Sequence, residues 1–260
     1  MPFSTLFLTV GLVILGMMVA LWLVSLALKD ASIVDVFWGL GFVAVAWTAF
    51  ALTPGYLPRK QLMVTLVTLW GLRLALHIGV RNWGKGEDFR YANWRREHGA
   101  RWWWRSFLQV FLLQGVLMWI ISAPVVAAQA AGFPAILTPL EMLGVVVWAV
   151  GWLFETVGDW QLTRFKADPA NKGKLLTTGL WKYTRHPNYF GDAAAWWGLY
   201  LIALAGGYGW TVFSPVLMTF LLMKVSGVAL LERTMQAKPG YEAYMRRTNA
   251  FFPWFPKSDV

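Results

Sequence analysis

Seven long apolar runs constrain the fold of this chain more than any other feature of its sequence. They cover roughly residues 6–28, 33–52, 62–80, 107–130, 140–162, 189–204 and 210–231. Each run holds about 16–24 residues, close to the ~20 that a helix needs to cross ~30 Å of hydrocarbon. Only 14% of the 260 residues are charged, whereas 58% are hydrophobic. The sequence therefore predicts an all-α, polytopic membrane bundle of about seven transmembrane helices.

Lysine and arginine are unevenly distributed among the connections, and this predicts the orientation. The connections rich in basic residues are 81–105, 164–185 and the C-terminal tail, whereas 131–139 and 205–209 contain none. Because cytoplasmic loops carry the excess of Lys and Arg, we expect the N-terminus outside and the C-terminus in the cytoplasm. Arg59 and Lys60 depart from this pattern, since they fall on the predicted outer side.

The net charge of +10 is concentrated in a few short segments. This pattern favours anionic lipid headgroups and anionic ligands over nucleic acid, because a nucleic-acid binder presents a solvated basic face. The chain contains no cysteine, which excludes disulfides and thiolate metal sites. We expect membrane lipids and a hydrophobic small molecule as partners, and neither a metal nor nucleic acid.

Charged side chains inside the apolar runs are candidates for function, because a charge at membrane depth is costly and usually lines a cavity or pairs with another charge. Asp35 lies in the second run. Arg73 and His77 lie in the third at i and i+4, so they share one helical face. Glu155 and Asp159 share a face of the fifth run. The structural alternative is that Asp35 pairs with Arg73 and the other charges reach the interface.

The densest polar stretch of the chain is 174–192. Pro187 is suited to the first position of a helix, so we predict that the sixth span begins there. Arg185 and His186 precede this start, and Asn188 and Asp192 follow it on one face. Free amides and the positive end of the helix dipole would add to an anion site at this point. The alternative is a basic juxtamembrane loop that only anchors the chain to lipid.

Residues 179–192 read G-L-W-K-Y-T-R-H-P-N-Y-F-G-D. This stretch resembles the signature of the steroid 5α-reductase C-terminal superfamily, specifically its bacterial DUF1295 branch. Segments 154–161, 165–174 and 239–254 agree with it. The resemblance implies NADPH in a cytoplasm-facing cavity and hydride transfer to the conjugated C=C bond of an enone. We expect one membrane domain, 1–260, with substrate-side helices 1–4 in 1–130 and cofactor-binding helices 5–7 and the tail in 131–260.

The resemblance also assigns residues, and His77 takes the place of the family's catalytic tyrosine. Asp35 would hold His77 charged, and Arg73 completes the predicted catalytic set. The predicted cofactor-binding residues are Glu155, Asp159, Arg164, Lys166, Lys174, Tyr183, Arg185, His186, Asn188, Asp192, Glu232, Tyr244, Arg246 and Arg247. The protein is expected in the bacterial inner membrane with its active site facing the cytoplasm.

A second function remains open at this stage. Arg185-His186-Pro187, with a following tyrosine and glycine, also resembles the isoprenylcysteine carboxyl methyltransferases, which are membrane enzymes that use S-adenosylmethionine. Basic charge favours NADPH, because S-adenosylmethionine carries no phosphate, whereas Glu232 weakly favours the methyltransferase. A transporter or a lipid-binding scaffold is the third hypothesis, and the absence of an internal repeat in the sequence counts against it.

Overall fold

A computed structural model describes residues 2–225 and 227–257, and its regular elements in those ranges are all helical. The helices are α1 (Phe3–Leu28), α2 (Ile33–Leu52), α3 (Leu57–Asn82), α4 (Phe89–His98), α5 (Trp102–Ser106), α6 (Leu113–Ile121), α7 (Ala123–Ala130), α8 (Pro139–Ala167), α9 (Pro187–Ala205), α10 (Phe213–Phe220), α11 (Val228–Met235) and α12 (Tyr241–Arg247). The all-α prediction is confirmed.

Six helical stretches of the described chain are long and apolar enough to cross a membrane. They are Phe3–Leu28, Ile33–Leu52, Leu57–Asn82, Phe89–Ala130, Pro139–Ala167 and Gly209–Met235. The helix that corresponds to the sixth predicted span is α9, which has 19 residues and begins at Pro187 as expected. α9 is not among the six stretches, and the polar side chains of Asn188 and Asp192 lie in its first two turns.

The chain forms two compact units. The first holds the residues up to Thr138 together with Ile202–Thr211, and the second holds Pro139–Leu201 together with the chain from Val212 onward. The candidate residues Asp35, Arg73 and His77 belong to the first unit, and the predicted cofactor-binding residues belong to the second. The division of labour between the two parts of the chain stays a prediction.

Arg59 and Lys60 are buried in the first unit, where they serve the ends of helices. The guanidinium of Arg59 donates to the carbonyl oxygens of Ala131, at 3.2 Å, and Pro134, at 3.0 Å. The ammonium of Lys60 donates to the carbonyl oxygen of Thr53 at 2.5 Å. Thr53 and Ala131 are the C-caps of α2 and α7, where backbone carbonyls lack partners and the helix dipole is negative. Both exceptions to the charge pattern therefore have a structural role.

Helices α8 and α9 of the second unit approach each other along a row of glycines. The row consists of Gly144, Gly151 and Gly158 on α8, and Gly191 and Gly198 on α9, each seven residues from the next on its helix. A Cβ on Gly191 would overlap the backbone of Gly151 and Glu155, and a Cβ on Gly198 would overlap that of Gly144. Small residues allow this backbone contact in membrane helices. The row brings Glu155 on α8 next to the first turns of α9.

Candidate functional site

A cavity of about 470 Å³ lies in the second unit, among the end of α8, the connection 168–176, α11 and α12. Four lysines line it: Lys166, Lys172, Lys174 and Lys238. Asp168 also lines the cavity, and its carboxylate accepts from the backbone N–H of Ala170 at 2.9 Å. With four ammonium groups against one carboxylate, the cavity favours a ligand that carries several negative charges.

The aromatic part of the lining includes Trp181, Tyr241 and Tyr244, which are buried, and Phe165, which is half-buried. The hydroxyl of Tyr244 donates to the carbonyl oxygen of Trp181 at 2.5 Å, which joins α12 to the turn before α9. Burial raises the pKa of both tyrosines, so both phenols stay protonated at neutral pH. The cavity therefore combines a cationic rim with neutral aromatic rings.

Arg185 lines the cavity, but its donors are directed at acceptors within the protein. Its Nε and one Nη donate to Oε1 of Glu232 at 2.8 and 2.6 Å. The other Nη donates to the carbonyl oxygens of Met245, at 3.2 Å, and Thr248. Arg185 is only 8% exposed. It therefore fixes Glu232 and the end of α12, and the other cations of the lining are the four lysines.

His186 completes this cluster. Its Nε2 lies 3.3 Å from Oε1 of Glu232, and its ring stacks on Tyr189 with centroids 5.7 Å apart. Burial lowers the pKa of His186 to about 4 and outweighs the raising effect of Glu232. The imidazole is therefore neutral at pH 7. With a carboxylate as the acceptor for Nε2–H, Nδ1 is the nitrogen that is left to accept a hydrogen bond.

The C-terminal tail is held against the segment that carries Arg185 and His186. The backbone N–H of Arg185 donates to the carbonyl oxygen of Asn249 at 2.9 Å. The N–H of Trp254 donates to the carbonyl oxygen of Tyr183 at 3.0 Å. The tail thus fixes the wall of the cavity that contains Trp181 and His186.

The predicted cofactor-binding residues fall into three groups: those at the cavity, those that lie where α8 meets the first turns of α9, and four others. Lys166, Lys174, Arg185, His186 and Tyr244 line the cavity, and Glu232 is bonded to two of them. Glu155, Asp159, Asn188 and Asp192 lie along α8 and the first turns of α9, where the amide of Asn188 donates to Asp159 at 3.0 Å. Arg164, Tyr183, Arg246 and Arg247 are absent from the lining as the structure describes it.

Sequence reasoning missed Lys172, Lys238, Trp181 and Tyr241 as lining residues. Lys172 belongs to the run Asn171-Lys172-Gly173-Lys174, in which two lysines flank a glycine at φ 83°. That signal was present in the sequence. Lys238 and Tyr241 reach the cavity only because the chain returns to it after α11, which no local pattern predicts.

The predicted catalytic residues lie in the first unit, where Asp35 has partners that the sequence did not suggest. Its Oδ1 accepts from the hydroxyl of Tyr91 at 2.7 Å, and its Oδ2 accepts from Arg90 at 2.9 Å. Arg73 and His77 lie one turn apart on α3, and both are half-buried. The sequence had suggested two other partners for Asp35, namely His77 in the catalytic interpretation and Arg73 in the structural alternative. The catalytic roles of these residues stay predictions.

Comparison with known proteins places the chain in a family. The sequence profile of DUF1295, described as a protein of unknown function, matches residues 21–248. The chain belongs to the DUF1295 family. This match includes all the candidate site residues named above, from Asp35 to Arg247. The membership agrees with the resemblance seen in the motif around Pro187.

Two relatives of this DUF1295 protein are informative. The chain is 26% identical over 264 residues to an uncharacterized protein of Schizosaccharomyces pombe, in an alignment that covers 90% of this chain and 75% of the relative. It is 35% identical over 98 residues to the probable O-methyltransferase ustE of Ustilaginoidea virens, covering 37% of this chain and 34% of the relative. No solved structure matches the chain.

Proposed function

We propose that this DUF1295 protein is an NADPH-dependent membrane reductase that transfers a hydride to a conjugated C=C bond of a lipid or steroid-like substrate. The observation that carries the proposal is the set of four lysines around one cavity with an aromatic lining. NADPH carries a pyrophosphate and a further phosphate, and lysines act as point charges for such groups. The donor set of the cavity therefore fits this cofactor.

Within this proposal, the side chains around the cavity have different roles in binding the cofactor. Lys172 and Lys174 hold phosphate oxygens, and the rings of Trp181 and Tyr241 pack against the flat parts of the ligand. Nδ1 of His186 accepts a hydrogen bond from a ligand hydroxyl or amide. The chemistry that NADPH supplies when bound is hydride donation. The proposal includes the orientation expected from the basic segments, with the cavity facing the cytoplasm of a bacterial cell.

Methyl transfer from S-adenosylmethionine is the second candidate. The match to a protein named as a probable O-methyltransferase supports it, over about a third of each chain. The two candidates differ in the charge of the ligand. S-adenosylmethionine has a positive sulfonium and no phosphate, so four lysines disfavour it, whereas NADPH needs them.

The decisive experiment measures thermal unfolding and calorimetric binding of the purified protein in detergent, with NADPH, NADH or S-adenosylmethionine. Because a ligand at 100 times its Kd stabilises the folded state by about 2.7 kcal/mol, binding is visible as a rise in melting temperature. We expect NADPH to bind and to raise it. Replacing both Lys172 and Lys174 by alanine weakens NADPH binding at least about ten-fold, or about 1.4 kcal/mol.

Lys182→Ala is the matched control, because Lys182 is exposed on the same stretch of chain and is absent from the described lining of the cavity. It should leave NADPH binding unchanged. A protein that binds S-adenosylmethionine and not NADPH supports the methyltransferase and excludes the reductase. A protein that binds neither excludes both.

A further inference from the structure

Three consecutive turns of α8 carry buried hydrogen-bond donors that have no acceptor among the described residues. They are the indole N–H groups of Trp148 and Trp152 and the hydroxyl of Thr156. The two indole rings stack with centroids 6.0 Å apart and an interplanar angle of 16°. Trp148 is only 6% exposed. A buried donor without an acceptor is costly, so a local concentration of them calls for an explanation.

Five other indole N–H groups and four helix threonines of the described chain do have acceptors. Indole N–H groups donate to a backbone or side-chain oxygen at Trp22, Trp47, Trp119, Trp181 and Trp197. Helix threonines turn their hydroxyl to the carbonyl of the preceding turn at Thr9, Thr48, Thr68 and Thr219. Thr156 does not make this local bond. The three donors on successive turns of α8 therefore differ from these indoles and threonines.

The donors lie on the face of α8 that leads to the cationic cavity. Trp148 and Lys166 are 18 residues apart, which is five helical turns, so they project from the same side. At 1.5 Å per residue, the hydroxyl-bearing turn at Thr156 lies about 15 Å from Lys166 along the axis, and Trp148 lies about 27 Å from it. The donors therefore belong to the same unit as the cavity and lie deeper in the membrane-spanning part of α8.

The neighbouring groups restrict the chemistry of the missing acceptor. Glu155 is 3% exposed and Asp159 is 7% exposed, and both carry carboxyl groups on this part of α8. An anionic ligand group beside them is disfavoured by charge repulsion. A neutral oxygen on an apolar molecule satisfies the donors without adding charge at membrane depth.

We infer that Trp148, Trp152 and Thr156 form a site for the carbonyl oxygen of a membrane-soluble ligand. For the identity of that ligand as the substrate, the inference rests on the proposed function. A carbonyl oxygen has two lone pairs, so it accepts from two of these donors at a time. The long apolar part of the ligand lies in the bilayer or along the apolar faces of the helices. Binding at this site needs no cofactor.

The test follows the indole N–H resonances of the protein in detergent by heteronuclear NMR, without NADPH. The probes are farnesal and progesterone, which are conjugated carbonyl compounds of two shapes, and the matched hydrocarbons farnesene and pregnane. We expect at least one carbonyl probe to shift the Trp148 and Trp152 resonances downfield, and neither hydrocarbon to do so. Trp181 already donates to Gly158 at 3.2 Å and serves as the internal reference.

Trp152→Phe and Thr156→Val each remove one donor and should weaken binding of the carbonyl probe about three- to ten-fold. Thr48→Val is the matched control, because that hydroxyl donates to the carbonyl oxygen of Ala44 at 2.8 Å, and it should leave the affinity unchanged. The inference is overturned if neither carbonyl probe shifts the two indole resonances, or if a hydrocarbon shifts them equally. It is also overturned if the donor variants bind the probe as tightly as the wild type, which is the result expected if the three groups bind only a structural water. The reductase proposal is tested separately by NADPH binding, and its outcome does not depend on the result of this NMR experiment.

Discussion

Glu232 accepts two hydrogen bonds from Arg185 on a single carboxylate oxygen, at 2.8 and 2.6 Å. His186 lies 3.3 Å from the same oxygen. These three groups connect the segment before α9 with α11, and the remaining donors of Arg185 connect both to the end of α12. A single guanidinium thus holds together three parts of the second unit.

We expect Arg185→Ala to lower the free energy of unfolding by about 3–5 kcal/mol, because it leaves a half-buried carboxylate and two carbonyl oxygens without the guanidinium. Arg246→Ala is the matched control, since Arg246 forms an exposed ion pair with Glu242 at 3.2 Å and such pairs contribute little. Thermal unfolding in detergent measures both. Equal losses in the two variants would contradict the role assigned to Arg185.

The pH dependence of stability should report on His186. Its pKa is about 4 in the folded protein, because it is buried, and about 6.5 in an unfolded chain. Between these values the unfolded chain binds a proton that the folded protein does not, so stability falls as the pH falls. The loss approaches roughly 3 kcal/mol at the acid end.

His186→Gln should remove most of that fall between about pH 6.5 and about pH 4. Tyr189→Phe, which keeps the ring that stacks on the imidazole, should retain it. Melting temperatures in detergent across this pH range give the comparison. If the His186→Gln curve has the slope of the wild type, the titrating group is elsewhere.

The close approach of α8 and α9 predicts that Gly191 tolerates no side chain. A Cβ there would overlap the backbone of Glu155, so Gly191→Ala should destabilise the protein by about 1–3 kcal/mol. Gly16→Ala is the control within another helix, because a Cβ at Gly16 meets nothing within 4 Å. That variant should be neutral or more stable by about 0.5–1 kcal/mol. Equal melting temperatures for the two variants would argue against the glycine row.

In the first unit, Asp35 and Tyr91 should be energetically coupled. Tyr91→Phe removes a donor at 2.7 Å from a half-buried carboxylate, and we expect a loss of about 1–3 kcal/mol. Asp35→Asn should cost a similar amount, and the double variant less than the sum, with a coupling of about 0.5–3 kcal/mol. Additive losses would show that the two side chains do not depend on each other.

Local signals allowed much of the fold to be predicted. The bounds of α2, Ile33–Leu52, coincide with the second apolar run, because a polar turn flanks the run at each end. The start of α9 at Pro187 follows from the preference of proline for the first position of a helix. Long apolar runs and helix starts depend on neighbouring residues only, so one sequence is sufficient for them.

The site depends on contacts between distant residues, and the sequence gives no signal for these. Arg185 and Glu232 are 47 residues apart, and Asp35 and Tyr91 are 56 apart. The resemblance pointed to Arg185 and Glu232 separately as ligands of a cofactor, whereas the structure shows that they bind each other. Lys238 was missed for the same reason, since a count of basic residues does not tell which of them surround one cavity.

The row of glycines between α8 and α9 has a consequence for biosynthesis. α9 carries Asn188 and Asp192 in its first two turns, and both side chains oppose its partitioning into lipid. Backbone contact with α8 supplies van der Waals attraction over several turns and covers those polar groups. We therefore expect α9 to depend on its contact with α8 to enter the bilayer, so a substitution that fills the row should lower the amount of protein recovered in membranes.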